Sequence, residues 1–250
     1  MPVLYGQMGC PSSHLTGDGW RRLGKTLILH GMTDSKDTFR EPAPIMAPIR
    51  ALDPSHRERI AGHLLRLEPA DRYLRFGYAA SDEQVRRYVE QLDFERDEIF
   101  GIYDHRLELI AMAHLAFSGQ PEHLHCAEFG VSVLPSARGR GLGTQLFGRA
   151  VMHARNEGVR MVFIHALSDN QAMLKIARNA GASVRRDGAQ SEAYLQIPPA
   201  SLDTRMAEIV EQQFAEFDYQ YKTQAKQFSD FLARLQEMRS DLRHAGMDER

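Results

Sequence analysis

The run Arg138-Gly139-Arg140-Gly141-Leu142-Gly143-Thr144 lies between an apolar, strand-like stretch, CAEFGVSVL (126–134), and an amphipathic, helix-like one, TQLFGRAVMHARNEG (144–158). Its glycines let the backbone turn tightly and leave N–H groups uncovered. The N-terminus of the following helix adds oriented donors and a partial positive charge. The junction is therefore a natural seat for an anion such as a pyrophosphate, with Arg138 and Arg140 available for charge-assisted contacts. The spacing is not that of the GxGxxG dinucleotide loop, and taken alone the run reads equally well as a glycine-rich connector with solvated arginines.

The flanking segments decide between these readings. Downstream, VRMVFIHAL (159–167) has the texture of a buried strand. SDNQAMLKIARNAG (168–181) follows as a helix with Asn170 at its start and Gly181 at its C-cap, and ASVRR (182–186) and EAYLQI (192–197) are short strands. Upstream, PIMAPIRAL (44–52) reads as a strand and DPSHRERIAGHLLRL (53–67) as a capped amphipathic helix starting at Asp53. SDEQVRRYVEQL (81–92) is a second helix, with Ser81 as N-cap and Glu83 and Gln84 near the reciprocal capping position. EIFGIYD (98–104) and ELIAMAHLAF (108–117) are strands joined tightly at His105-Arg106. Such alternation, with one hairpin-type pair, predicts an α/β fold of the mixed α+β kind, a sheet flanked by helices.

Composition narrows the setting. The 250 residues are 43% hydrophobic and 26% charged, an ordinary globular balance that excludes wholesale disorder. With 31 Lys and Arg against 33 Asp and Glu, the net charge of −2 gives no reason to expect nucleic acid or an anionic membrane as partner. No apolar run approaches the ~18–20 residues of a membrane helix. Two cysteines, Cys10 and Cys126, are no disulfide framework, and the first residues lack the basic and apolar regions of a secretory signal, so a cytoplasmic protein is expected. Three textures divide the chain. Residues 1–45 read as a loose tail, with Met32 opening a plausible native start; 46–200 carry the alternating elements; and 201–250, after Pro198-Pro199, form one long helical pattern.

The order strand, RGRGLG, helix, strand, Asn-led helix resembles the GNAT superfamily of acetyltransferases, whose loop signature Arg/Gln-x-x-Gly-x-Gly/Ala is met by Arg138, Gly141 and Gly143. Asn170 and Gly181 match its second signature, and the likeness spans roughly residues 46–197. More narrowly, AEFGVSV, RGRGLG, LSDNQAMLKIARNAG and DRYLRF (71–76) are similar to the catalytic domain of bacterial protein-lysine acetyltransferases. The resemblance implies a mostly antiparallel sheet and acetyl-CoA as co-substrate, with no metal. The pyrophosphate would sit on the amides of Gly139, Arg140, Gly141, Leu142, Gly143 and Thr144. The pantetheine arm would pair with backbone around Val131 and Val133, with Asn170 as a polar contact unless it is simply a helix cap. Glu128 falls at the family's base position, where it would take the proton from an amine acceptor. Many relatives place a Tyr seven residues after the Asn to protonate the departing thiolate. Here that position is Ala177, which leaves Tyr194 and Ser168 as candidates. The acceptor is a protein lysine or a small amine, and a non-catalytic acetyl-CoA sensor or scaffold is the rival from another class.

Other signals carry less. Gly19-Trp20-Arg21-Arg22-Leu23-Gly24-Lys25-Thr26 spells a Walker A loop but lacks a preceding strand and is followed by a β-like run. His114, His123, His125 and Cys126 are dense but fit no familiar zinc spacing. In the last fifty residues Phe214, Phe217, Tyr221, Phe228, Phe231, Leu235, Met238 and Leu242 recur at intervals of three and four, with Gln224 at the missing place. That stripe predicts a homo-oligomer through the C-terminal helix, the alternative being a helix folded over its own domain with the same stripe buried.

Overall fold

A computed structural model describes residues 47–118 and 125–245, those after 234 as helix backbone only. The tail, Met32, the Walker-like run, Cys10 and His123 lie outside the described residues. Among the described residues seven strands form one sheet in the order β1-β2-β3-β4-β5-β7-β6. β1 (Arg50–Ala51), β2 (Glu98–Tyr103), β3 (Leu109–Phe117) and β4 (Cys126–Val133) pair antiparallel in succession. β5 (Met161–Leu167) joins β4 in parallel, and β7 (Gln190–Gln196) runs antiparallel between β5 and β6 (Ser183–Asp187). The fold is thus mixed α/β with a mostly antiparallel sheet, as the sequence predicts. Of the strand expected over 44–52, residues 44–46 lie outside the described residues, and the rest gives the two residues of β1, preceded by Pro48, which cannot donate to a ladder.

Six α-helices accompany the sheet among the described residues: α1 (Arg57–Leu65), α2 (Pro69–Phe76), α3 (Asp82–Glu90), α4 (Leu142–Asn156), α5 (Gln171–Asn179) and α6 (Leu202–Ala245). Ser81 caps α3 through the capping box anticipated with Gln84, and Asp53 caps a 3₁₀ turn that leads into α1. Helix α2 has no counterpart among the predicted elements. It fills the gap between the two upstream helices and carries the DRYLRF run. On one sheet face α1, α2 and α3 lie over Ser132, Gly130 and His114: His63 of α1 bonds Ser132, Arg75 of α2 lies on Gly130, and Tyr88 of α3 bonds His114. On the other face α4 covers the apolar side of β4, with Phe147 edge-on to Phe129 at 4.9 Å.

Helix α6 reverses the usual amphipathic arrangement. The side that meets the domain is mostly polar, with Ala215 and Tyr219 as its apolar contacts. Glu208 binds Arg149 (2.6 Å), His153 (2.7 Å) and Asn156 (2.5 Å), and Lys222 and Lys226 donate to the carbonyls of Tyr103 and Arg106. Met206, Val210, Phe214, Phe217, Tyr221, Phe228 and Phe231 are all exposed. The helix therefore does lie along its own domain, but on the face opposite to the aromatic stripe.

Arg149 is buried, and Glu208 is its main counter-charge. Burial pushes the Glu208 carboxyl up, but hydrogen bonds from His153, Asn156 and Arg149 outweigh it and bring the group from 4.5 down to about 2. A folded-state value below the unfolded one gives stability that is complete above 4.5 and lost as pH falls toward 2. Glu208→Ala, which strands the Arg149 cation, is expected to lower stability at pH 7 by on the order of 3 kcal/mol. It should also flatten the decline between pH 4.5 and 3. Denaturant titrations of both proteins across that range measure this.

Candidate functional site

The loop before α4 is built to present backbone donors. Gly139 and Gly141 hold φ of +77° and +72°, the left-handed region that side chains disfavour, and Gly141 is the helix N-cap with no side-chain bond to close the first turn. The N–H groups of Leu142, Gly143 and Thr144 are thereby left to an outside acceptor. Gly143 packs against α5, where an added Cβ would come within 3.1 Å of Ile176 Cδ1. Arg140 is exposed. Arg138 is placed differently from expectation: its Nη2 pairs with Asp71 Oδ2 of α2 at 2.5 Å and its Nε donates to the Val133 carbonyl at 3.3 Å. It bridges α2 to the end of β4 instead of standing free for an anion.

Beside this loop the sheet parts. β4 and β5 pair only through Cys126–Met161, Ala127–Val162 and Glu128–Phe163, although both strands continue. Among the described residues β4 is paired to β3 alone from Phe129 onward, so the backbone around Val131 and Val133 keeps one edge with no described strand against it. Glu128 stands where the parting begins. Burial raises its carboxyl above the ordinary 4.5, while His165 and Arg75 nearby oppose the shift. Phe163 and Tyr194 are register partners in the adjoining ladder, so Glu128, Phe163 and Tyr194 form one row on the face that α2 overlooks.

A half-buried carboxylate, an unpaired strand edge and an open helix N-terminus thus lie along one line. A family model described as the acetyltransferase (GNAT) family matches residues 63–182. This segment is a GNAT acetyltransferase domain. Its fold is shared with the GNAT domain of S. lividans PAT (20% identity, 62% of this chain and 96% of that one, TM-score 0.53). An acetyltransferase of the GNAT family from Streptococcus pneumoniae gives 15% identity over 60% and 98%, with a TM-score of 0.50. A ribosomal L7/L12 alpha-N-protein acetyltransferase solved in complex with coenzyme A is 21% identical over 62% and 97%, with a TM-score of 0.47. No curated protein sequence matches the chain.

Within this acyltransferase domain the candidates for a general acid fare poorly. Ala177 is fully buried on α5. Ser168 is buried and donates toward the carbonyls of Gly188 and Gln190 beside a 2.9 Å contact with Ser191 Oγ. Tyr194 gives its proton to Glu192 at 2.5 Å, and burial, with that neighbour, pushes its hydroxyl up to about 12. Among the described residues no group of three His, Cys, Asp or Glu could hold a metal ion, and no helix is long and apolar enough to cross a membrane.

The sequence reasoning missed a buried polar chain behind Glu128. Arg75 Nη2 donates to the Tyr88 hydroxyl (2.9 Å), which contacts His114 Nδ1 (2.8 Å), and His114 Nε2 reaches Asp97 Oδ2 (3.0 Å). Asp97 Oδ1 accepts from Arg96 and from the Phe117 amide. The signal that could have found it is DRYLRF, noted for resemblance only. His63, held near 4 by burial, bonds the Leu109 carbonyl and Ser132 and is likewise neutral.

Asn170 is the N-cap of α5, its Oδ1 accepting from the Met173 amide at 3.1 Å. Asn170→Ala is therefore expected to cost about 1 kcal/mol in a denaturant titration, with no ligand present.

Proposed function

We propose that this protein transfers the acetyl group of acetyl-CoA directly to an amine, and that the acceptor is a protein lysine. The observation that carries this reading is the parting of β4 from β5 at Glu128, aligned with the uncapped start of α4. An amide-rich arm fits the free edge at Val131–Val133 as an added strand, and a pyrophosphate fits the amides of Gly139 to Thr144 with Arg140 beside them. Arg138, tied to Asp71, supports the arm's end of β4 from behind. The Nδ2 of Asn170 is the remaining donor on that side chain for the arm, since its Oδ1 serves the cap. For the acceptor, the choice of lysine over a small amine rests on the motif likeness to bacterial protein-lysine acetyltransferases.

In this reading Glu128 takes the proton from the acceptor ammonium, whose pKa of ~10.4 otherwise hides the lone pair. The freed nitrogen forms the new C–N bond at the thioester carbonyl, the C–S bond breaks, and sulfur leaves as a thiolate. The first proton ends on Glu128 and passes to solvent, and the second, carried by the nitrogen once the C–N bond has formed, is lost to solvent as the amide is completed. A thiolate with pKa near ~8.5 leaves without a general acid, consistent with Ala177 at the usual Tyr position. Glu128→Gln is expected to bind acetyl-CoA with unchanged affinity in calorimetry yet release CoA with a lysine peptide ~10²–10⁴-fold more slowly at pH 7, with partial recovery at higher pH. Wild-type turnover in this variant removes Glu128 from the mechanism; release with small amines alone moves the acceptor to that class.

The domain organisation follows the same reading: a catalytic unit through residue 200 and, after it, a helix for assembly in a cytoplasmic setting. The outward aromatic stripe of α6 suits a second copy of the chain, because soluble monomers rarely leave so continuous an apolar face uncovered. Gln224 stands at the one polar place in the seam, where it can fix register. Phe228→Asp combined with Phe231→Asp is expected to convert an oligomer to a monomer in light scattering while acetyl-CoA binding persists. A monomeric wild type at micromolar concentration refutes the assembly.

A further inference from the structure

We propose that Arg75 is a second catalytic group of this domain: its guanidinium stabilises the negative charge that passes onto the thioester oxygen and sulfur during transfer, and Tyr88, His114 and Asp97 are the positioning residues that hold it there. The inference rests on the reading of Glu128 and acetyl-CoA above.

Placement is the first argument. The guanidinium lies flat against β4 at Gly130, so close that a Cβ there would be 2.9 Å from Cζ and 3.0 Å from both Nη atoms. Gly130 is two residues from Glu128 on the same face of the strand and immediately precedes the free edge at Val131. A carbonyl delivered along that edge toward Glu128 has to pass beside Arg75.

The second argument is that the cation is under-compensated. Its Nε is buried without an acceptor, and its hydrogen bond among the described residues is the single one to the neutral Tyr88 hydroxyl. A buried donor of a permanent cation left unpaired is costly unless a partner arrives during function. Glu128, the carboxylate coupled to it, becomes neutral when it takes the proton, and negative charge then appears on the thioester as the C–N bond forms.

The chain behind Arg75 points in one direction. Asp97 accepts from His114 Nε2, which leaves Nδ1 as an acceptor. Tyr88 then donates to Nδ1 and turns its lone pairs to Arg75. Burial keeps His114 below its ordinary value and Tyr88 above its own, which favours the neutral forms this order uses. The rings of Phe76 and Tyr88, their centroids 5.4 and 5.5 Å from the guanidinium carbon, confine it further.

Finally, the step needs such a group. Formation of the C–N bond sends the carbonyl π pair to oxygen, and cleavage of the C–S bond sends that pair to sulfur. With Ala177 buried, Ser168 engaged and Tyr194 bound to Glu192, no hydroxyl at these positions supplies a proton to the sulfur. A fixed cation meets the charge without exchanging a proton, since an arginine stays protonated throughout.

The test uses the full-length protein, acetyl-CoA and poly-L-lysine as acceptor. Arg75→Gln is expected to lower kcat by ~10²-fold, the loss typical of one charge-stabilising donor, with the acetyl-CoA dissociation constant little changed. Added methylguanidinium should restore part of the rate in Arg75→Ala. Tyr88→Phe and Gly130→Ala, which leave the Arg75 charge in place but release or displace its fixed position, should each lose activity in the same sense. Independently of turnover, the Glu128 carboxyl followed by carbon-detected NMR should titrate at a higher pH in Arg75→Gln than in the wild type. Near-wild-type kcat in Arg75→Gln with the Glu128 titration unmoved overturns the inference. If Glu128→Gln is impaired while Arg75→Gln is not, this inference alone falls. If neither is impaired, or the wild type releases no CoA, the functional reading falls with it.

Discussion

A strand inside a sheet that loses its neighbour halfway along is under a physical constraint that the rest of this structure meets. β4 shares three residue pairs with β5 and then continues with one edge that no strand among the described residues pairs, only its Val133 carbonyl being taken, by Arg138. Unpaired backbone groups away from water are costly, so such a gap persists only where the surrounding elements hold the strands apart and something else can use the edge. Here β5 is secured on its far side along its whole length by β7, and β4 by β3. The start of α4 closes the end of the gap with another set of free donors, and Glu128 marks its apex.

The polar face of β4 is covered by two histidines, a tyrosine and an arginine. Ser132 is bound by His63, and Gly130 is covered by an arginine that Tyr88 and His114 position. Both histidines sit below their ordinary values because burial disfavours their charged forms. The same burial raises the Glu128 carboxyl against the opposing pull of His165 and Arg75, which moves it toward the range useful to a base. The packing that makes the face rigid and the shift that makes its carboxylate reactive have one cause.

How much of this was legible in the sequence depends on whether a feature is local. The Arg138–Thr144 junction, the Asn170 cap and the Ser81 capping box are fixed by a few adjacent residues and appear in the structure where the chain places them. Helix α2 escaped because eight residues led by Pro69 give too short a run for periodicity to register. The site of Arg75 escaped for another reason: it depends on a glycine on β4 and a tyrosine on α3, which only folding brings together. Likewise Arg138 reads as an anion ligand in the loop, yet a carboxylate from α2 claims it. In α6 the aromatic spacing was plain. Which side faces the domain was not, because Glu208 meeting Arg149 leaves no periodic trace.

That reversed helix has a consequence for ionic strength. Its inner face is held by Glu208 with Arg149 and His153 and by the ion pair of Arg50 with Glu216 at 3.1 Å. Of these, the half-exposed pairs weaken as salt shortens the Debye length from about 10 Å at 0.1 M to about 3 Å at 1 M. Its outer face is aromatic, and burial of such a surface is strengthened by kosmotropic salts. One helix therefore answers added sulfate in two opposite senses, gripping its own domain less firmly while its aromatic side gains affinity for any apolar surface brought against it.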